Sequence, residues 1–96
     1  MDEKLLQFIG DVVKEYFSDQ PVKVYLFGSR VRNENRLRSD YDLAFDLPDS
    51  KEKSRFFLKI VDDAPTLCGI DAVDLDEVSD TFKKKILEEG KIIYES

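Results

Sequence analysis

Short runs of β-branched and aromatic residues alternate along this chain with stretches whose apolar residues recur at helical spacing. That alternation decides the class of fold open to it. Leu5, Leu6, Phe8, Ile9, Val12, Val13, Tyr16 and Phe17 predict an amphipathic helix over residues 3–18, ended by Asp19-Gln20-Pro21. Val22 to Phe27 reads as a strand bounded by Pro21 and Gly28, and Tyr41 to Leu47 as a second, closed by Pro48-Asp49. The polar residues 29–39 between them, with Arg30, Arg32, Arg36 and Arg38, suggest a short helix opening after Gly28-Ser29 and then a loop. Ser50 is a candidate N-cap for a helix running to Asp63, with Phe56, Phe57, Ile60 and Val61 as its buried stripe and Pro65 blocking its continuation. Ile70 to Leu75 is a third strand. Ser79 caps a last helix carrying Phe82, Ile86 and Leu87, Gly90 follows as its C′ residue, and Lys91 to Tyr94 adds an edge strand. This order implies a single α+β domain over residues 1–96, a small mixed sheet with helices packed mainly on one face.

Composition removes most familiar chemistries. The 96 residues include one cysteine, Cys68, and no histidine. A disulfide framework, a Cys/His zinc site and every histidine general-base mechanism are therefore excluded. Cys68 lies in an apolar setting and reads as packing. Lys and Arg number 15 against 21 Asp and Glu, a net charge of −6. Extensive nucleic-acid binding by this chain alone is not expected, whereas hard-cation chemistry on carboxylates stays open. The chain begins directly in the amphipathic pattern and has no apolar run of bilayer length, so the expectation is a soluble, cytoplasmic protein with no membrane partner.

The informative pattern is Val24-Tyr25-Leu26-Phe27-Gly28-Ser29, ten residues, then Asp40-Tyr41-Asp42-Leu43. Residues two apart on a strand share a face, so Asp40 and Asp42 lie side by side while Tyr41 and Leu43 enter the opposite layer. Paired carboxylates repel unless a cation sits between them, and Mg²⁺ is commonly held by one or two carboxylates plus substrate phosphates. Gly28 lets backbone approach a ligand closely, Ser29 adds a hydroxyl, and the N–H groups of an opening helix favour an anion. Taken alone, a Gly-Ser turn or an Asp-x-Asp strand is ordinary. Together, at this spacing, they arise by chance in roughly one chain in a thousand of this length. Arg30, directly after the turn, is the best phosphate contact of the four arginines; Arg36 and Arg38 fit a solvated loop equally well. Lys83-Lys84-Lys85 reads as a solvated helix face, and Phe56 and Phe57 as core rather than a base-stacking platform.

Phe27-Gly28-Ser29-Arg30-Val31-Arg32 followed by Ser39-Asp40-Tyr41-Asp42-Leu43 resembles the signature of the nucleotidyltransferase superfamily that includes DNA polymerase β. It looks most like the minimal, single-domain branch, over about three quarters of the chain. The resemblance implies a polymerase β-like nucleotidyltransferase fold, two Mg²⁺ ions, or Mn²⁺ in their place, and ATP or another nucleoside triphosphate as substrate. It implies metal binding and catalysis by Asp40, Asp42 and Asp71, with Gly28, Ser29 and Arg30 binding the nucleotide. Asp71 matches the family's third carboxylate within Ile70-Asp71-Ala72-Val73-Asp74-Leu75; Asp74, on the other face of a regular strand, ranks second. Relatives often carry glycine at Asn33, and Asn also tolerates the left-handed turn.

In such a site one ion lowers the acceptor pKa and the other stabilises the leaving pyrophosphate. The resemblance implies that Asp71 holds the acceptor-side ion and can take the proton. It also implies a separate small helical partner of the HEPN or substrate-binding type, in some cases the toxin of a toxin–antitoxin pair that the transferase adenylylates. A homodimer and a hetero-oligomer both remain open. The alternatives are an antitoxin acting by contact alone and a nucleotide sensor without turnover.

Overall fold

The computed structural model describes residues 3–28, 41–66 and 69–96. Ser29, Arg30, Asp40, the expected short helix and loop over 29–39, and Cys68 lie outside the described residues. The elements in chain order are α1 (Glu3–Phe17), β1 (Lys23–Phe27), β2 (Tyr41–Asp46), α2 (Lys53–Asp63), β3 (Ile70–Asp74), α3 (Asp80–Glu89) and β4 (Lys91–Glu95). No helix among the described residues is long and apolar enough to cross a membrane.

One four-stranded sheet in the order β3-β2-β1-β4 organises the chain. β1 pairs antiparallel with both β2 and β4, while β2 and β3 run parallel. Parallel neighbours need a crossover, and α2 supplies it. The sheet is therefore mixed, as the element order implies.

Alternation along the strands sends side chains to two layers. Val24 and Leu26 of β1 and Tyr41, Leu43 and Phe45 of β2 enter the larger core with Leu5, Ile9, Val12, Val13 and Phe17 of α1 and Phe56 and Ile60 of α2. Tyr25 and Ala44 face the other way and meet Leu75 and Ile86 of α3. Two helices thus cover one face and the third covers part of the other. Phe56 is the centre of the larger core: its ring packs edge-on against Tyr16, Phe17, Phe45 and Phe57 at centroid distances of 5.2–6.0 Å.

The helix ends show where local signals succeed and fail. Ser79 accepts a hydrogen bond from the Phe82 N–H at 3.2 Å and caps α3 as expected. Ser50 does not cap α2: its hydroxyl accepts from the Glu52 N–H at 3.1 Å in a turn that precedes the helix, and Glu52 occupies the cap without a side-chain bond. Ala64 adopts φ −58, ψ 129, the extended geometry that Pro65 imposes on its predecessor. Gly90 has φ −75, so no left-handed conformation selects glycine there; closeness does, since a Cβ would stand 2.5 Å from the Ile86 carbonyl oxygen. Val61, expected in a buried stripe, and Leu87 are 48 % and 46 % exposed because each lies about 100° around its helix from the buried Ile60 and Ile86.

Phe56→Ala is expected to lower unfolding free energy by about 3–5 kcal/mol, a large share of the roughly 5–15 kcal/mol typical of a whole domain. Val61→Ala is expected to stay within about 0.5 kcal/mol. Urea denaturation of both variants checks the assignment of the core.

Candidate active site

Three strands present one row of residues at one end of the sheet. Phe27 of β1 is in register with Asp42 of β2, and Asp42 is in register with Asp71 of β3. Two positions along, Tyr25 and Ala44 belong to the α3-side core, so the row lies on the face that α3 only partly covers. Asp42 is half-buried and Asp71 exposed. Adjacent strands lie about 4.8 Å apart, so the two carboxylates are close neighbours.

Gly28 closes the row at the end of β1. Its φ is +78, a conformation costly for any residue with a Cβ. Space imposes the same requirement: a Cβ there would stand 3.1 Å from Cγ of Asp42 and still nearer one of its carboxylate oxygens. The bare glycine is therefore the seat against which the Asp42 carboxylate rests. Two in-register carboxylates beside a glycine turn form an all-oxygen donor set of the kind hard divalent cations take. Among the described residues no three metal-binding side chains gather; Asp40, the expected further carboxylate, lies outside them.

Asp74 has a different task. It sits on the opposite face, its side chain only 7 % exposed, and Lys53 of α2 reaches it at 3.1 Å. Its second oxygen accepts from the Asp76 N–H at 2.9 Å, and Lys53 also reaches Asp76 at 3.2 Å. Burial lowers the affinity of the Lys53 amine for its proton, but hydrogen bonds to Asp74 and Asp76 and their charges outweigh this and hold its pKa above the usual lysine value. This clamp joins the end of β3 to the start of α2. Sequence pattern shows Asp74 leaving the face of Asp71 but gives no sign of Lys53, which is 21 positions upstream.

The aromatic residues divide in the same way. Phe56 and Phe57 lie in or against the larger core, away from the row. Phe82 of α3 is 38 % exposed and packs edge-on against Phe27 at 5.7 Å between centroids.

Comparison with known proteins supplies a family. The sequence family described as "Polymerase beta, Nucleotidyltransferase" matches residues 9–96. A crystal structure of a toxin–antitoxin with AMP-PNP shares the fold with a TM-score of 0.66 at 22% identity, over 93% of this chain and 72% of that one. A crystal structure of the toxin–antitoxin MntA-HepT gives 0.63 at 20% identity, over 97% and 72%. No curated protein matches the chain.

Asp74→Asn is expected to lower stability by about 1–3 kcal/mol, because it leaves Lys53 with Asp76 alone. A raised lysine pKa means the clamp is intact below the ordinary lysine range and is lost only as pH rises through the raised value. The deficit, measured by urea denaturation, should therefore hold steady from neutrality to about pH 9.

Proposed function

This chain belongs to the polymerase beta nucleotidyltransferase family, and we propose that it transfers a nucleoside monophosphate, AMP from ATP, to an acceptor hydroxyl. The observation that carries this reading is the row of Asp42 and Asp71 in register, with Gly28 bare against the Asp42 carboxylate. Asp40, Asp42 and Asp71 would hold two Mg²⁺ ions, or Mn²⁺ in their place. When bound, the ions lower the acceptor pKa and stabilise the charge of the departing pyrophosphate.

The residues of the chain do the rest. Gly28 offers backbone that the phosphates can approach, and Ser29 and Arg30 follow it in sequence as donors to them. The acceptor oxygen forms a bond to the α-phosphorus, the bond from that phosphorus to the bridging oxygen breaks, and pyrophosphate leaves. Asp71, exposed at the outer end of the row, takes the acceptor proton and releases it to water. The cytoplasm, which holds ATP and keeps Cys68 reduced, is the compartment this reaction requires.

The acceptor belongs to a second protein in this reading, a small helical partner of the HEPN type, with the present chain as the antitoxin of the pair. Support comes from the fold neighbours, which are toxin–antitoxin structures, one of them with AMP-PNP. Incubation of the co-purifying partner with ATP labelled on the α-phosphate tests it: label on the partner marks the enzyme. A stable complex without label marks an antitoxin that acts by contact or a nucleotide sensor.

The variants separate binding from chemistry. Asp42→Asn is expected to weaken Mg·ATP binding at least about tenfold by calorimetry, since it removes one of the carboxylates that would hold the ions. Asp71→Asn is expected to leave binding within a few-fold yet reduce transfer about 10³-fold or more, the scale of several kcal/mol of lost activation. Gly28→Val is expected to damage nucleotide binding more than the thermal melt, because its side chain would displace Asp42 and cover the turn.

A further inference from the structure

All eleven aromatic rings of this protein lie within the described residues, and Phe82 is the one exposed among them. Its position is fixed rather than incidental. Phe82 is the third residue of α3, and its N–H is the donor held by the Ser79 cap. One turn later Ile86 is buried in the α3-side core, so the first turn cannot roll. Phe27 stands behind the ring at 5.7 Å with the planes at 81°, an edge-on support that leaves Phe82 facing outward.

The neighbourhood decides what such a ring is for. Phe27 is directly opposite Asp42 across the β1–β2 ladder, and facing Cβ atoms in such a pair are about 4.5–5.5 Å apart. Phe27 also directly precedes Gly28. A triphosphate lying on the Gly28 turn beside Asp42 must send its nucleoside to one side of the row. The β3 side carries Asp71, which the acceptor needs. The β1 side carries Phe27 and, against it, the exposed Phe82.

We propose that Phe82, supported by Phe27, is the stacking platform for the nucleobase of the bound triphosphate. This rests on the nucleotidyl-transfer reading above and adds to it the residue that holds the base. A flat apolar ring suits the π-face of any base and favours the larger purine, with no hydrogen-bond readout required.

Calorimetry of Mg·ATP and of Mg·tripolyphosphate, which has no base, tests the assignment on the intact chain with Phe82→Ala, Phe82→Leu and Phe82→Tyr. Phe82→Ala is expected to weaken ATP binding roughly tenfold, the size of a lost base–aromatic stack, while tripolyphosphate binds as in the parent. Phe82→Tyr should retain ATP affinity within about twofold, and Phe82→Leu, apolar but not flat, should resemble alanine. Equal weakening of both ligands overturns the platform, because the ring would then merely support the phosphate site. So does unchanged ATP affinity in Phe82→Ala, or full rescue by leucine. A parent protein that binds tripolyphosphate no worse than ATP overturns the platform and leaves phosphate binding standing; one that binds neither overturns the transfer reading as well.

Discussion

The register of β1 against β2 is the constraint on which the rest of this molecule depends. These are the two interior strands of the sheet, and both of their faces are committed. On one face Val24, Leu26, Leu43 and Phe45 enter the large core; on the other Tyr25 and Ala44 meet α3, and Phe27 stands beside Asp42. A slip of one residue would send every one of these side chains to the wrong layer. It would bury Asp42 among Phe56 and Ile60 and expose Phe45 and Leu43. The apolar cost of that exchange specifies the position of the carboxylate, so the site is placed by packing on the face it does not occupy.

This division explains why the two faces are so unequal. The α1/α2 side carries the long aliphatic and aromatic side chains, closed over Phe56 by rings from two helices and a strand. The α3 side is thin: Tyr25, Ala44, Leu75 and Ile86 are its buried members, and at Ala44 the sheet offers α3 no more than a methyl group. Such a small cluster contributes little stability, and among the described residues α3 does not extend over the end of the face where Gly28, Asp42 and Asp71 converge. Stability concentrated in one layer permits like charges to be neighbours in the other, since their repulsion is small beside the burial of the large core.

The elements were legible in the sequence because each has a strong local signal. The stripe from Leu5 to Phe17, the β-rich run from Val24 to Phe27 and the Ser79 cap each lie within a few positions of one another, and the structure bears them out. Strand alternation also separates Asp71 from Asp74 without any tertiary knowledge. What the sequence could not supply is pairing at a distance. Nothing local says that Phe27 lies opposite Asp42, that Lys53 reaches Asp74, or that α3 returns to the face opposite α1. Helical periodicity shows that α3 has a buried side, but not how broad it is: of Phe82, Ile86 and Leu87 only Ile86 is interior. Ser50 misled because serine before a helix fits a cap, yet here it closes a turn; Gly90 ends α3 as expected, selected by a close carbonyl rather than by a left-handed backbone. Ser29, Arg30 and Asp40 stay expectations from the motif.

The split between Asp71 and Asp74 also solves a positional problem. β3 is an edge strand, held by β2 on one side and by no strand on the other among the described residues. Parallel pairing is slightly less stable per residue than antiparallel, so contacts at the two ends of an edge strand matter for where its carboxylate stands. The start is pinned where the Tyr41 N–H donates to the Gly69 carbonyl at 2.9 Å. The end is pinned where the Leu75 N–H donates to the Phe45 carbonyl at 3.0 Å and where Lys53 holds Asp74. Asp71 lies between these pins. Its distance from Asp42 is thus set by groups outside the row, and Asp74, three residues away and facing the other layer, fixes where its neighbour stands.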